Sequence, residues 1–225
     1  MTKSEEKKSN AVVLLSGGQD STTCLVWAKQ NFKKVFAITF DYGQRHNIEI
    51  NAAKKIAKLL KVPLKIHKID IFKGLTKNSL IDKKMPIKAG KNGTLPTTFV
   101  EGRNLIFIAS AAIYAKSLKI KNLVAGFCQA DSSGYPDCRE NFVKAAEKAI
   151  ELGMDHNFRI FTPLMWKTKA ESVNLMKEMS GLKFLAHTHT CYEGKKVACG
   201  KCPACELRIK GFKEAEEKDP IKYKK

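Results

Sequence analysis

Ala11-Val12-Val13-Leu14-Leu15-Ser16-Gly17-Gly18-Gln19-Asp20-Ser21 runs an apolar stretch straight into two consecutive glycines, and a helical pattern opens at about Asp20. Strand, glycine turn and helix start, in that order, make a layout for binding phosphate. The glycines let backbone N–H groups come close to an anion, the helix N-terminus adds partial positive charge, and Ser16 and Ser21 add hydroxyl donors. A Walker A loop is excluded, because that motif places a lysine after its last glycine to reach the terminal phosphates and none follows here. The alternative that carries no ligand is a capped glycine turn between strand and helix.

Working outward, apolar runs alternate with helix-period segments along the chain. Ala11 to Leu15, Val35 to Phe40, Leu64 to Ile69, Leu123 to Phe127 and Arg159 to Pro163 read as strands. Ser21 to Asn31, Ile48 to Leu60, Asn104 to Leu118, Glu140 to Leu152 and Lys169 to Met179 read as helices. This alternation implies an α/β fold with a doubly wound parallel five-stranded sheet, and ligands at the carboxyl ends of its strands. The polar, distinctive segments fall there: the glycine loop, Phe40 to His46, Gly126 to Arg139, and Thr162 to Trp166. Residues 72–99 carry Lys83, Lys84, Pro86, Gly90, Gly93 and Pro96 with little periodicity, and a lid or insertion is expected.

A chain of 225 residues accommodates one substantial core. The expected organisation is a flexible extension over 1–10, an ATP-binding α/β domain over 11–185, and a metal-binding segment with a charged tail over 186–225. No apolar run reaches the roughly 18 residues of a membrane span, and Met1 to Asn10 is polar rather than a signal segment, so a cytoplasmic protein without a membrane partner is expected. The formal net charge of +19 suits an anionic partner, but arginine occurs only at positions 45, 103, 139, 159 and 208. A surface that grips nucleic acid leans on arginine forks, so no direct nucleic-acid contact is expected, and the positive field is read as drawing in small anionic ligands.

Near the C-terminus, Cys191, Cys199, Cys202 and Cys205 are separated by seven, two and two residues. Four thiolates at that spacing suit one tetrahedral ion, most often structural zinc, while Cys199-x-x-Cys202-x-x-Cys205 also matches part of an iron–sulfur run. His187 and His189 precede a complete four-thiolate set and read as surface or substrate-facing groups. Cys24 falls at an apolar position of the first helix and reads as core.

The hexapeptide Ser16 to Ser21 resembles the S-G-G-x-D-S pyrophosphate loop of enzymes that split ATP between its α and β phosphates and attach AMP to a substrate. With Ser16 to Thr23 (SGGQDSTT), Thr39 to His46 (TFDYGQRH), Gly102-Arg103-Asn104, Ser133 to Arg139 (SGYPDCR), Thr162 to Trp166 (TPLMW) and the four cysteines, most of the chain resembles one family. That family is the 7-cyano-7-deazaguanine synthases, nitrile-forming ligases of queuosine biosynthesis. The resemblance implies an adenine nucleotide α-hydrolase-like, Rossmann-like fold and conversion of 7-carboxy-7-deazaguanine and ammonia to the nitrile at the expense of ATP with Mg²⁺. It also implies a structural zinc ion on Cys191, Cys199, Cys202 and Cys205, and a homodimer. The family commonly has proline before Gly-Arg-Asn, where this chain has Glu101.

On this basis ATP is assigned to Leu15, Ser16, Gly17, Gly18, Gln19, Asp20, Ser21, Thr22, Thr23, Cys24 and Leu25, and catalysis to Ser16, Asp20 and Lys169. Asp20 is a candidate for the Mg²⁺ side, its alternative being a carboxylate that complements the helix dipole. Lys169 begins a helix, where positive charge opposes the dipole; a nearby anionic ligand and a solvated lysine both fit. Arg103 offers a fork for a carboxylate or phosphate, while Asn104 can cap the following helix. Asp131, Tyr135 and Asp137 offer carboxylates and an aromatic face to a guanine-type base, with Tyr135-Pro136 alternatively a rigid turn. Cys138 reads as packing or substrate contact. A tRNA-thiolating enzyme, an ordinary amide-forming ligase and a zinc-ribbon nucleic-acid binder each explain only part of this set.

Overall fold

The computed structural model describes residues 6–44, 47–82, 84–88, 90, 94–130 and 134–224. Strands β1 (Asn10–Leu14), β2 (Lys34–Asp41), β3 (Leu64–Lys68), β4 (Asn122–Val124) and β5 (Arg159–Phe161) form one sheet in the order β3-β2-β1-β4-β5. Every pairing is parallel. Between them and after them run helices α1 (Gln19–Asn31), α2 (Ile48–Leu59), α3 (Arg103–Ser117), α4 (Glu140–Met154), α5 (Lys169–Glu178), α6 (Leu182–Leu185) and α7 (Pro203–Glu214).

Both faces of the sheet are covered, which is why its central strands read as continuous apolar runs. Along β1, successive side chains point to opposite faces. Ala11, Val13 and Leu15 join Leu25, Ile56, Val173 and Met176 on one side, while Val12 joins Ile108, Ala111 and Val143 on the other. Ala111, Ala112 and Ala115 are fully buried and give α3 a small-residue face against the sheet. Burying a side chain such as Leu15 or Ile56 stabilises by about 1.5–3 kcal/mol. The strand order turns back between β1 and β4, so the crevice at their carboxyl ends is the switch point where such sheets take ligands.

The expected strands and helices form, with ends displaced by a few residues. The cysteine-rich segment adds α6 and α7, which spacing did not announce except through Pro203, placed at the first helical position behind Cys202. Phe212 and Ala215 of that segment lie in the same buried cluster as Ala11, Val13 and Leu15. The described residues of 72–99 form turns only, held by the buried Asn78, Ser79 and Thr98. Before α3 the chain turns with Gly102 at φ +71° and Arg103 N–H donating to the Val100 carbonyl (3.1 Å), so the turn forms with Glu101 in it.

Gly17 is the residue on which the loop's seating depends. It holds φ +88°, and a Cβ there would stand 2.4 Å from the Glu49 carbonyl oxygen and 2.8 Å from the Ala53 nitrogen, both backbone atoms of α2. Gly17→Ala is expected to cost about 1–3 kcal/mol in urea unfolding. Gly18 has φ −80°, and a Cβ there would make only ordinary contacts, with Ser16 Oγ at 3.4 Å and the His189 carbonyl oxygen at 3.7 Å, so Gly18→Ala is expected to stay within about 0.5 kcal/mol of the parent. Equal losses in the two variants would refute this packing.

Candidate active site at the switch point

A cavity of about 320 Å³ opens at the carboxyl ends of β1 and β4. Its walls come from the glycine loop, the end of β2, the start of α3, Ala125 to Cys128 after β4, Lys169, and the segment from His189 to Arg208. The volume lies at the lower end of the range of small-molecule sites.

The glycine loop is fixed by its own hydroxyls. Ser16 N–H donates to Ser21 Oγ (3.2 Å), the two serine hydroxyls share a bond (3.0 Å), and Thr22 Oγ1 donates to the Gly18 carbonyl (2.8 Å). No side chain caps α1, so its first N–H groups stay directed at the cavity end of the helix. Gly126, after β4, presses on the same place: a Cβ there would meet the Asp20 carbonyl carbon and Ser21 nitrogen at 3.0 Å. Gln19 lines the cavity at 2 % exposure, and among the described residues neither of its amide atoms has a hydrogen-bond partner.

Lys169 Nζ lies 2.8 Å from both carboxylate oxygens of Asp20. The lysine reaches across from the N-terminus of α5, where a capping box offsets its unfavourable place. Thr168 Oγ1 accepts from Glu171 N–H (3.2 Å), and the Glu171 carboxylate accepts from Thr168 N–H (2.7 Å). Those bonds hold the Glu171 carboxyl below its ordinary range. Lys169 packs its stem on Gly211 of α7, where a Cβ would stand 2.5 Å from Lys169 Cγ. The C-terminal helix thereby sets where the lysine can point.

Arg103, at the first position of α3, brings a second cation to the wall. Burial works against its charge, but Tyr42, Asp137 and Tyr135 together outweigh it and raise its pKa, so the guanidinium is permanently charged. Among the described residues its Nε is buried without a partner. Behind it, Asp137 Oδ2 accepts from Asn104 N–H (3.4 Å), and Asn104 Nδ2 donates to the Asp137 carbonyl (3.0 Å). Burial raises the Asp137 carboxyl, with Arg103 pulling the other way. Burial likewise pushes the Tyr42 hydroxyl up to about 12 and the Glu49 carboxyl up to about 7, again with Arg103 opposing.

The sequence-derived set therefore divides. Ser16, Gly18, Gln19, Asp20, Ser21, Arg103, Tyr135 and Lys169 converge on the cavity. Asp137 is not among its lining residues and instead backs Arg103 and Asn104. The Tyr135 ring stacks on Phe99 at 5.8 Å, and its hydroxyl bonds Thr98 Oγ1. Thr22, Thr23 and Cys24 are buried inside α1. Asp131, with Arg45, His46 and Ser133 of the quoted motifs, lies outside the described residues. Among the wall residues not assigned from sequence are Glu49, Tyr192 and Arg208. Glu49 was indistinguishable from an acid that complements a helix dipole. Arg208 carried a signal, being an arginine set between apolar positions of a helical run.

The four cysteines are buried and their sulfurs all lie within 4.8 Å of one another. Cys199 N–H donates to Cys191 Sγ and Cys202 N–H to Cys199 Sγ, each at 3.3 Å, as suits thiolates. A tetrahedral ion with bonds of about 2.3 Å has sulfur–sulfur edges of about 3.8 Å, and the Cys199 and Cys205 sulfurs stand 3.9 Å apart. The donors fit one metal ion. His187 is exposed, whereas His189 lines the cavity, and its backbone N–H donates to the Gly17 carbonyl at 2.9 Å.

Arg208, 1 % exposed, ties this segment together. Its guanidinium donates to both Asp219 oxygens (2.9 Å each), to Thr188 Oγ1 (2.6 Å) and to the Leu185 carbonyl (3.2 Å).

Comparison with known proteins gives a consistent result. The family model described as "Queuosine biosynthesis protein QueC" matches residues 10–216. A protein of Chromobacterium violaceum named 7-cyano-7-deazaguanine synthase is 50% identical over 97% of this chain and 94% of its own length. One of the same name from Laribacter hongkongensis is 49% identical over 94% and 93%. Among solved structures, an NMN synthetase from Francisella tularensis superposes with a TM-score of 0.53 at 13% identity, over 96% of this chain and 80% of that one. At that identity the likeness shows the fold alone, a parallel five-stranded sheet with helices on both faces.

Removing the Arg208 guanidinium leaves Asp219 buried without its counter-charge. Arg208→Ala is expected to lose about 3–5 kcal/mol in chemical unfolding, and Arg208→Lys to recover little of it, because an ammonium cannot supply the fork. A lysine variant as stable as the parent would refute this account.

Proposed function

Because the chain belongs to the QueC family, we propose that it is a 7-cyano-7-deazaguanine synthase, which converts 7-carboxy-7-deazaguanine and ammonia to the nitrile at the expense of ATP. The observation that carries this reading is the convergence of the pyrophosphate-type loop, Lys169 and Arg103 on one cavity at the switch point. A carboxylate is a poor electrophile, so it is first adenylated. Ammonia then displaces AMP to give the amide, and adenylation of the amide oxygen permits loss of a second AMP to leave the nitrile.

In this reading the Ser16 to Ser21 loop and the open N-terminus of α1 receive the phosphates of ATP, which arrives with Mg²⁺. Gln19 supplies amide groups that no protein atom satisfies. Arg103 holds the substrate carboxylate, its unpartnered Nε being half of the fork that such an oxyanion fills. Lys169 stabilises charge that develops at the α-phosphate as pyrophosphate leaves, an electrostatic contribution, and Asp20 holds the lysine in place until nucleotide enters. Ser16 donates its hydroxyl to the same phosphates. Tyr135, Asp131 and Asp137 are assigned to the base. Residues 11–185 carry this chemistry, and 186–225 hold a zinc ion that is structural and takes no part in the reaction. Four thiolates this close support a single ion over a four-iron cluster. From the resemblance we also infer a homodimer acting in the cytoplasm; among the described residues no helix is long and apolar enough to cross a membrane.

Purified protein incubated with 7-carboxy-7-deazaguanine, ammonium, ATP and Mg²⁺ is expected to yield the nitrile and AMP by mass spectrometry. An unchanged deazapurine, or AMP formed only when tRNA is added, would overturn the reading. Lys169→Met is expected to lower kcat by about 10²–10³-fold with its thermal unfolding still cooperative. For the metal, thiolates must be deprotonated to bind, so retention is full near neutral pH and falls on acidification as protons compete for sulfur. Elemental analysis after dialysis should show about one zinc per chain at pH 7.5, less at pH 5, and none in Cys202→Ala.

A further inference from the structure

Beside the main cavity lies a recess of about 20 Å³, room for one water-sized molecule. Tyr42, Gln44, Glu49, Leu80, His189 and Tyr192 line both spaces, so the recess opens on the chamber where the substrate carboxylate is activated. Its chemistry is that of a small cation's site. Glu49 supplies an acceptor, and Tyr42 and Tyr192 add aromatic rings that favour positive charge. Gln44 is held rigid, its Oε1 accepting from Tyr42 N–H (2.8 Å) and its Nε2 donating to the Phe40 carbonyl (3.2 Å).

The proposed reaction needs such a place. Near neutral pH ammonia in water is almost wholly ammonium, which has no lone pair to attack an acyl adenylate. Arg103 and Lys169 on the cavity wall repel it. Of the residues lining the cavity, the carboxylates are Asp20 and Glu49, and both oxygens of Asp20 face Lys169. Resting on the synthase reading, we propose that this recess binds ammonium and that Glu49 takes its proton, releasing ammonia toward the adenylated carboxylate.

The balance of the step is simple. One proton passes from ammonium to the Glu49 carboxylate. The nitrogen lone pair then forms the C–N bond as the C–O bond to AMP breaks, AMP leaving with that electron pair, and the second nitrogen proton passes to the departing phosphate. Among the described residues, the titratable and charged groups around Glu49 are Arg103 from α3, Tyr42 from the end of β2, and His189, Cys191 and Tyr192 from the C-terminal segment. Burial brings the Glu49 carboxyl up to about 7, opposed by Arg103, which places proton exchange in the working range. The ionised form is the acceptor, so ammonium-dependent turnover should rise with pH through about 7 and lose that limb in Glu49→Gln.

The test compares two nucleophiles. Hydroxylamine is uncharged at pH 7.5 and attacks an acyl adenylate without prior deprotonation, giving a hydroxamate. In Glu49→Gln, kcat/KM for ammonium should fall at least tenfold further than kcat/KM for hydroxylamine, and KM for ammonium should rise more than KM for the deazapurine. Parallel losses with both nucleophiles, or a rise confined to the deazapurine KM, would overturn the ammonium site while leaving the synthase reading intact. Deazapurine-dependent pyrophosphate–ATP exchange in the parent protein reads that function separately, and its absence would overturn both.

Discussion

Two glycines allow backbone to meet backbone around the loop that follows β1, and the rest of the site takes its position from that contact. Gly17 rests on the Glu49 carbonyl and the Ala53 nitrogen of α2, and Gly126 brings the chain after β4 against Asp20 and Ser21. A third segment closes the ring, with His189 N–H donating to the Gly17 carbonyl at 2.9 Å. A loop held on three sides keeps its N–H groups in place before a ligand arrives, which is the condition under which fixed dipoles act on a reacting phosphate. It also explains why Glu49 borders the cavity: the helix that carries it is the one Gly17 lies against.

The cations of the site are balanced in two different ways. Arg103 is half-buried with Asp137 behind it, and among the described residues its Nε has no partner. Lys169 is balanced from the front, by Asp20, whose place on α1 is next to where the nucleotide phosphates are proposed to bind. The first arrangement suits a permanent anchor. The second suits a group that changes partners when a phosphate enters, because the incoming anion and the carboxylate compete for one ammonium. The net charge of +19 surrounds both and raises the local concentration of anionic ligands without specifying them.

The C-terminal segment does more than close the chain. The cysteine cluster and the Arg208–Asp219 fork are adjacent, and between them they fix Thr188 to Tyr192, the stretch that supplies His189 and Tyr192 to the cavity. Gly211 of α7 lets that helix press on the stem of Lys169. Loss of metal would therefore reach the glycine loop and the lysine through a continuous line of contacts, not by loosening a distant tail.

The sequence by itself determined the parallel α/β sheet, because strands buried on both faces must be apolar throughout and their connecting helices must follow the 3.6-residue period. It also determined the glycine turn between β1 and α1 and the four cysteines whose sulfurs converge, since each is a local motif whose spacing contains its geometry. Arg103 was legible as a fork for an oxyanion and Lys169 as a cation out of place at a helix N-terminus. Only the tertiary structure decided that Lys169 meets Asp20 across 149 positions of chain, that Asp137 backs Arg103, and that Glu49 lines a recess beside the cavity. Those facts depend on which helices pack together and how closely, and a glycine's space or a carboxylate's burial is a property of its neighbours in three dimensions. No period or spacing along one chain encodes it.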